Sequence, residues 1–293
     1  MVRNREVVMY IDLKIIASNF YQHAASTLYF SDSKLRFEEG IRKSYQEGNS
    51  RFKLGDRAPE FNFPYLSQGK VDSPNLFGMN ELILFSYYEM TIGTKYSKVL
   101  DLGANIGLHK IFMTLLGGKV TSLEPDPTTF QILSENVDSE LGANSPILIN
   151  AAAMTEDVEF VKFYRVLQNR TGSHVVGSRE SLPYGGYEEL MVTGKSYLNL
   201  LSENYDLVKI DVEGLEAELL YSVDLRNFPS TSYLVEVGNQ NNGKKIWDHI
   251  KRCEFNAFSQ KNNWQKVHRL SEIPFHYSEG TLFITSGAEM SWQ

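Results

Sequence analysis

Val99-Leu100-Asp101-Leu102-Gly103-Ala104-Asn105-Ile106-Gly107 is a hydrophobic run that ends in an acid and turns through two glycines into a helical pattern. Gly103 lets the backbone approach a ligand closely, and Gly107 opens the helix without steric cost. The start of that helix offers free amide N–H groups. In open α/β sheets, ligands lie beyond the carboxyl ends of the strands, near the point where strand order reverses. The spacing is D-x-G-x-x-x-G, not the G-x-G-x-x-G of a dinucleotide site. Asp101 precedes the first glycine, where it is placed to meet a cationic ammonium rather than crowd a pyrophosphate. The next β-rich run ends in Glu124, 17 residues past Gly107, placed to accept from both hydroxyls of a ribose. An adenosine-type ligand with a positive moiety and no required phosphate fits this pattern, and S-adenosylmethionine is such a ligand. The competing reading is a tight strand–helix turn that binds nothing.

Outward from this motif, β-rich runs at 99–102, 120–123, 147–150, 207–212, 233–237 and 282–285 alternate with helical patterns at 106–116, 127–140, 214–221 and 244–252. That alternation predicts a doubly wound, mainly parallel sheet. An insertion at 157–195 carries a hairpin signal at 159–166 and a glycine- and serine-rich stretch through Gly185-Gly186. With Gly177, these glycines make the insertion a candidate lid.

Ahead of the motif, residues 7 to 30 carry Met9, Leu13, Ile16 and Phe20 at helical spacing. This predicts an amphipathic helix packed on the main domain, with a homodimer arm as the second reading and a membrane-surface helix as the third. A more polar helix is expected over 32–47, ending at Gly48, Asn49 and Ser50. The proline- and glycine-rich stretch 51–79 predicts a loop with a short hairpin, 61–65, turning at Ser67-Gln68-Gly69. Asn80 is placed to cap a helix running to Thr91. The expected organisation is therefore an N-terminal extension, 1–79, and a catalytic domain, 80–293.

Composition narrows the function classes. Acids outnumber bases 36 to 29 in 293 residues, and the net charge of −7 argues against a nucleic-acid footprint. One cysteine, Cys253, excludes an intrachain disulfide and any multi-cysteine metal site. Asp12 and Lys14 interrupt any apolar leader, and no apolar run is long enough to span a bilayer, so a cytoplasmic setting is expected.

A second constellation is Lys209-Ile210-Asp211-Val212-Glu213-Gly214. A period of two puts Lys209, Asp211 and Glu213 on one side of a strand. Charges at the end of an apolar strand are costly unless paired or bound to something. The competing reading is a Lys–Asp pair that only orders the strand end. Glu236 closes the following β-run and is a candidate for the same rim. Gly194-Lys195-Ser196 mimics the end of a phosphate loop, but position 189, where the first glycine is required, is Glu189.

Taken together, Asp101–Gly107, Glu124-Pro125-Asp126-Pro127, Asn150-Ala151-Ala152, Gly172-Ser173, 209–214 and Val235-Glu236 resemble the FkbM family of S-adenosylmethionine-dependent methyltransferases, in order and spacing, over residues 80–286. The resemblance implies the Rossmann-like class I methyltransferase fold, a seven-stranded sheet with one reversed strand. It also implies O-methylation of a small molecule such as a glycan, lipid or polyketide. The chain departs from the family pattern at Asn199, where an acid is usual.

On this reading Asp101, Gly103, Asn105, Gly107, Glu124, Pro125 and Ala152 hold the cofactor. Asp211 is the candidate base, Lys209 its partner, and His174 the alternative base. His109 reads as a helix first-turn residue rather than a catalyst. Ser173, Glu213 and Glu236 line the acceptor rim. Asp211, Glu213 and Glu236 could together hold Mg²⁺, a reading not favoured without a further oxygen ligand at fixed spacing. The rival functions are a nucleic-acid methyltransferase and a non-catalytic S-adenosylmethionine-binding scaffold.

Overall fold

Three short strands stand ahead of the glycine loop: β1 (Met9–Ile11), β2 (Arg51–Leu54) and β3 (Phe61–Asn62). β1 pairs parallel and β3 antiparallel with β2. The computed structural model describes residues 8–14, 16, 38–142, 147–179 and 185–290. Residues 9–11 are thus a strand, not the opening of the expected amphipathic helix. Tyr10 faces out and Ile11 faces in, an alternation of period two that backbone pairing to β2 rewards over helical spacing. Leu13, Lys14 and Ile16 are helical, and Leu13 and Ile16 are buried in the core of the main domain, as the packing reading expects; residues 15 and 17–30, and with them the homodimer arm, lie outside the described residues. Residues 38–46 are helical, as expected of the second helix. The hairpin expected at 61–65 forms differently. Phe61 pairs with Phe52 in β2, and the turn through 68–71 is closed by a bridge between Ser67 and Asp72.

Helix α1 (Met79–Thr91) is capped by Gly78 rather than Asn80. Phe52, Phe61, Phe63, Phe77 and Phe85 are buried in one cluster with α1, so the described N-terminal residues share the core of the domain that follows.

The main sheet then builds through β4 (Lys98–Leu102), α2 (Leu108–Leu115), β5 (Lys119–Leu123), α3 (Pro127–Leu141) and β6 (Leu148–Ile149). The insertion makes a second sheet of β7 (Ala152–Met154), β8 (Val158–Val166), β9 (His174–Val175) and β10 (Tyr187–Ser196). The chain returns through α4 (Tyr197–Leu201), β11 (Leu207–Ile210), α5 (Glu216–Tyr221), β12 (Ser232–Glu236), α6 (Gln240–Arg252), β13 (Asn256–Ser259), β14 (Gln265–Lys266) and β15 (Thr281–Thr285).

The order across the main sheet is β14-β13-β15-β12-β11-β4-β5-β6. It has eight strands rather than the expected seven, because Phe258 and Ser259 pair with Lys266 and Gln265 to add an edge hairpin. β15 is antiparallel to both neighbours, and β4, β5, β6, β11 and β12 run parallel. Alternation along the strands feeds two cores. Val99 and Leu207 pack toward α1, α2 and α3, while Leu100, Val208 and Ile210 pack toward α4, α5 and α6. Each such buried side chain contributes roughly 1.5–3 kcal/mol. The order reverses beside β4, which places the glycine loop at the switch point. Among the described residues no helix is long and apolar enough to cross a membrane.

Candidate active site

The carboxyl ends of β4, β5 and β11 open onto a cleft of about 1130 Å³. Gly103, Asn105 and Gly107 line it, with φ of 83°, 50° and 96°. The loop is pinned from behind, since the N–H groups of Gly103 and Ala104 both donate to the Leu123 carbonyl, at 3.0 and 2.9 Å. A Cβ on Gly103 would fall 1.8 Å from the carbonyl oxygen of Asp211, so glycine is required for β4 and β11 to end side by side.

Glu124 is 7% exposed and lines the same cleft with Pro125 and Ala152. Its two carboxyl oxygens accept from the N–H groups of Asn105 and Asp126, both at 3.0 Å. Burial pushes this carboxyl up to about 8. The Oδ1 of Asn105 is buried with no hydrogen-bond partner. A carboxyl group and an orphaned amide oxygen together fit a ligand that presents hydroxyl or amine donors, as S-adenosylmethionine does.

Beyond Glu124, Asp126 caps α3 through the N–H of Thr128 and takes a two-pronged contact from Arg165 on β8, at 2.7 and 2.6 Å. This fork ties the insertion to the Glu124 side of the cleft.

Lys209 is 6% exposed. Its Nζ donates to Asp211 Oδ2 at 3.0 Å and lies 3.8 Å from Asp101 Oδ1. Burial works against its charge, but the two carboxylates prevail and raise its pKa above the ordinary lysine value. Asp211 is about a third open, at 32% of its side chain. Burial opposes its charge too, yet Lys209 and a hydrogen bond from Glu236 hold it below the usual carboxylate range. Glu236 moves the other way, pushed well up by burial and by the Asp211 charge. The pair therefore stands as a carboxylate beside a protonated acid, as expected of two carboxyl groups sharing a site.

Several expected residues sit elsewhere. Asp101 is fully buried and does not line the cleft; Ser122 donates to it at 3.2 Å and it faces Lys209, so contact with a ligand ammonium is not available to it. His174 is not at the cleft either. Ser173 and Val175 face the cleft, while His174 is 3% exposed, bound to the Gly172 carbonyl at 2.9 Å and set edge-on to Tyr164. Glu213 lines the cleft but leaves the Lys209 side. β11 ends at Ile210, Glu213 takes a φ of 57°, and its carboxylate pairs with Arg179 of the insertion. Among the described residues no three His, Cys, Asp or Glu side chains are grouped to hold a metal ion, and Asp211, Glu213 and Glu236 are not such a group.

The cleft also contains residues the sequence reading did not place there, among them Glu81, Arg170, Arg179 and Lys244, and His109, which it set aside as a helix first-turn residue. His109 lines it, held by Glu81 of α1 at 2.9 Å and by the Tyr88 hydroxyl at 3.2 Å. Its position in the first turn after Gly107 was the available signal, and Glu81 had none.

A parallel sheet extended by a reversed strand, with a cleft at the switch point holding an acid-tipped second strand, defines an α/β domain of the class I methyltransferase type. The methyltransferase FkbM domain matches residues 101–257, more than half of the chain, and the protein belongs to that family. It is 30% identical over 122 residues to the hexuronic acid methyltransferase AglP of Haloferax volcanii, covering 41% of this chain and 47% of that protein. It is 27% identical over 160 residues to the methyltransferase sdnD of Sordaria araneosa, covering 43% and 60%. The chain thus spans about half the length of these curated relatives. Among solved structures it is similar to the ribosomal protein L11 methylase of Lactobacillus delbrueckii subsp. bulgaricus, at a TM-score of 0.38 and 12% identity, covering 71% and 79%.

Proposed function

We propose that the protein transfers a methyl group from S-adenosylmethionine to a hydroxyl oxygen of a small-molecule acceptor of the glycan, lipid or polyketide kind. The observation that carries this reading is the Asp211 carboxylate, held ionised by Lys209 at the end of β11 and open to the cleft beside the glycine loop. The bound cofactor supplies an electrophilic methyl group on a sulfonium. When it is bound, Glu124 would accept from its ribose hydroxyls, and the partnerless Asn105 Oδ1 and the loop backbone would hold the rest of it.

Methyl transfer to an alcohol is an in-line displacement in which alignment supplies much of the rate, up to several kcal/mol. Asp211 takes the hydroxyl proton as the oxygen attacks. Lys209 keeps Asp211 charged and fixes one of its oxygens, and Glu236, protonated, orients it with a hydrogen bond. Lys209 is itself set by Asp101 from behind, which gives that buried acid a positioning role. The hexuronic acid methyltransferase relative supports a glycan among the acceptors, and the net charge of −7 weighs against nucleic acid.

S-adenosylhomocysteine release across a panel of sugar, lipid and polyketide alcohols tests the reading. Asp211→Asn should cut release about a thousandfold with any of them while S-adenosylmethionine still binds. Wild-type rates in that variant would remove Asp211 as the base.

A further inference from the structure

Six carboxyl groups line the cleft, and each is already satisfied. Glu81 holds His109, Asp211 holds Lys209, and Glu213 holds Arg179. Glu124 and Glu216 accept from backbone N–H groups, and Glu236 donates to Asp211. These contacts use up Lys209 and Arg179. Two further cations line the same cleft, Arg170 and Lys244, and among the described residues neither side chain has a carboxylate partner.

Neither cation is there by looseness of the chain. Arg170 is half-buried in a short 3₁₀ turn, and its N–H donates to the Gln68 carbonyl at 3.0 Å. Its neighbour Asn169 bridges Gly69, so the backbone beneath it is tied on both sides. Lys244 is in the first turns of α6. The next residue, Lys245, bridges Glu218 at 2.8 Å outside the cleft, whereas Lys244 faces the cleft. Among the described residues Arg170 and Lys244, the latter exposed on the wall of the cleft, are thus its two cations with no carboxylate partner, in a chain with 36 acids to 29 bases. A partly desolvated guanidinium without a counter-charge is costly, and an incoming anion removes that cost.

We infer that the methyl acceptor carries an anionic group, a carboxylate or a phosphate, held by Arg170 and Lys244 while its reacting hydroxyl lies at Asp211. The inference rests on the methyl-transfer reading of the cleft and names its substrate class. The charge layout sets the orientation. The Asp211 carboxylate repels an anion from the reacting centre, and the two free cations attract it elsewhere, so the acceptor binds one way round.

The test is titration calorimetry on the full chain loaded with S-adenosylhomocysteine, using methyl glucuronide, glucose 6-phosphate and methyl glucoside as probes. At least one anionic sugar should bind about tenfold or more tighter than the neutral glucoside, and the gap should shrink as salt rises. The glucuronide and phosphate arms tell carboxylate from phosphate. Arg170→Gln and Lys244→Gln should each collapse the preference toward unity, and Arg170→Lys should restore part of it. Identical behaviour of the three sugars, weak or strong, overturns the inference, as does a preference that survives both glutamine variants. A matching loss of S-adenosylhomocysteine affinity in those variants also overturns it, because the cations would then serve the cofactor's own carboxylate. Failure of the wild-type chain to bind S-adenosylhomocysteine at all would instead sink the methyl-transfer reading itself.

Discussion

The two sides of the cleft are built in different ways. The proposed cofactor side is made of short local segments at strand ends: Gly103, Asn105 and Gly107 after β4, and Glu124 and Pro125 after β5. The acceptor side is assembled from pieces far apart in the chain, with Glu81 and His109 from two helices, Arg170 and Arg179 from the insertion, and Lys244 from α6. A strand end fixes its neighbours within one turn of chain, so a short motif can specify it. A wall made of distant segments depends on tertiary packing and leaves no local pattern.

Four experiments probe that division, and the base that stands between the two sides gives the largest effect. Asp211→Asn should lower kcat by about a thousandfold, within the range expected for a lost general base, and leave S-adenosylmethionine affinity intact. A parallel loss of cofactor affinity would show that the two sides are not separable at this residue.

On the cofactor side, Glu124→Ala should weaken S-adenosylmethionine binding by about ten- to a hundredfold in calorimetry, the scale of a lost pair of charge-assisted hydrogen bonds. Unchanged affinity would remove the ribose contact.

The link between the sides is the Arg165 fork on Asp126. Arg165→Ala leaves a buried carboxylate partly unpaired and should destabilise the chain by about 2 kcal/mol, seen as a lower Tm. Because the fork joins the insertion to the cofactor side, acceptor KM should rise more than cofactor Kd. An equal rise in both would erase the distinction.

The smallest effect is one of pH. Ligand-free Glu124 is raised to about 8, so it holds its proton over most of the neutral range. Ribose hydroxyls favour the ionised form, so binding expels that proton and affinity should climb as pH rises toward 8, by up to about tenfold per unit, then level off. A flat profile, or one that falls with pH, would contradict the assignment.

This division also explains what the sequence disclosed. All six anticipated strands of the main sheet exist, because strands packed on both faces, the five parallel ones and the antiparallel β15 alike, read as short apolar runs. The edge strand β14 has two residues and no such run, and β13 is little longer. The start of α6 was hidden because Asn241-Asn242-Gly243 are poor helix formers; the Asn239 cap supplies what propensity does not. Residues 9–11 misled in the opposite sense, since helical spacing of apolar residues is also compatible with a strand when a partner waits 43 residues on. Within the site, the spacing placed Gly103, Glu124, Lys209 and Asp211 at one cleft. It misplaced His174, because a strand of two residues turns alternate side chains to opposite faces and nothing local says which.

Position 103 has a further consequence. One methyl group there would collide with the main chain beside the proposed base, so the spacing between the cofactor loop and that base is set by a hydrogen atom. Such a spacing cannot be adjusted by small steps of side-chain size. The far wall has no such threshold, since side chains such as Arg170 and Lys244 can be exchanged one at a time.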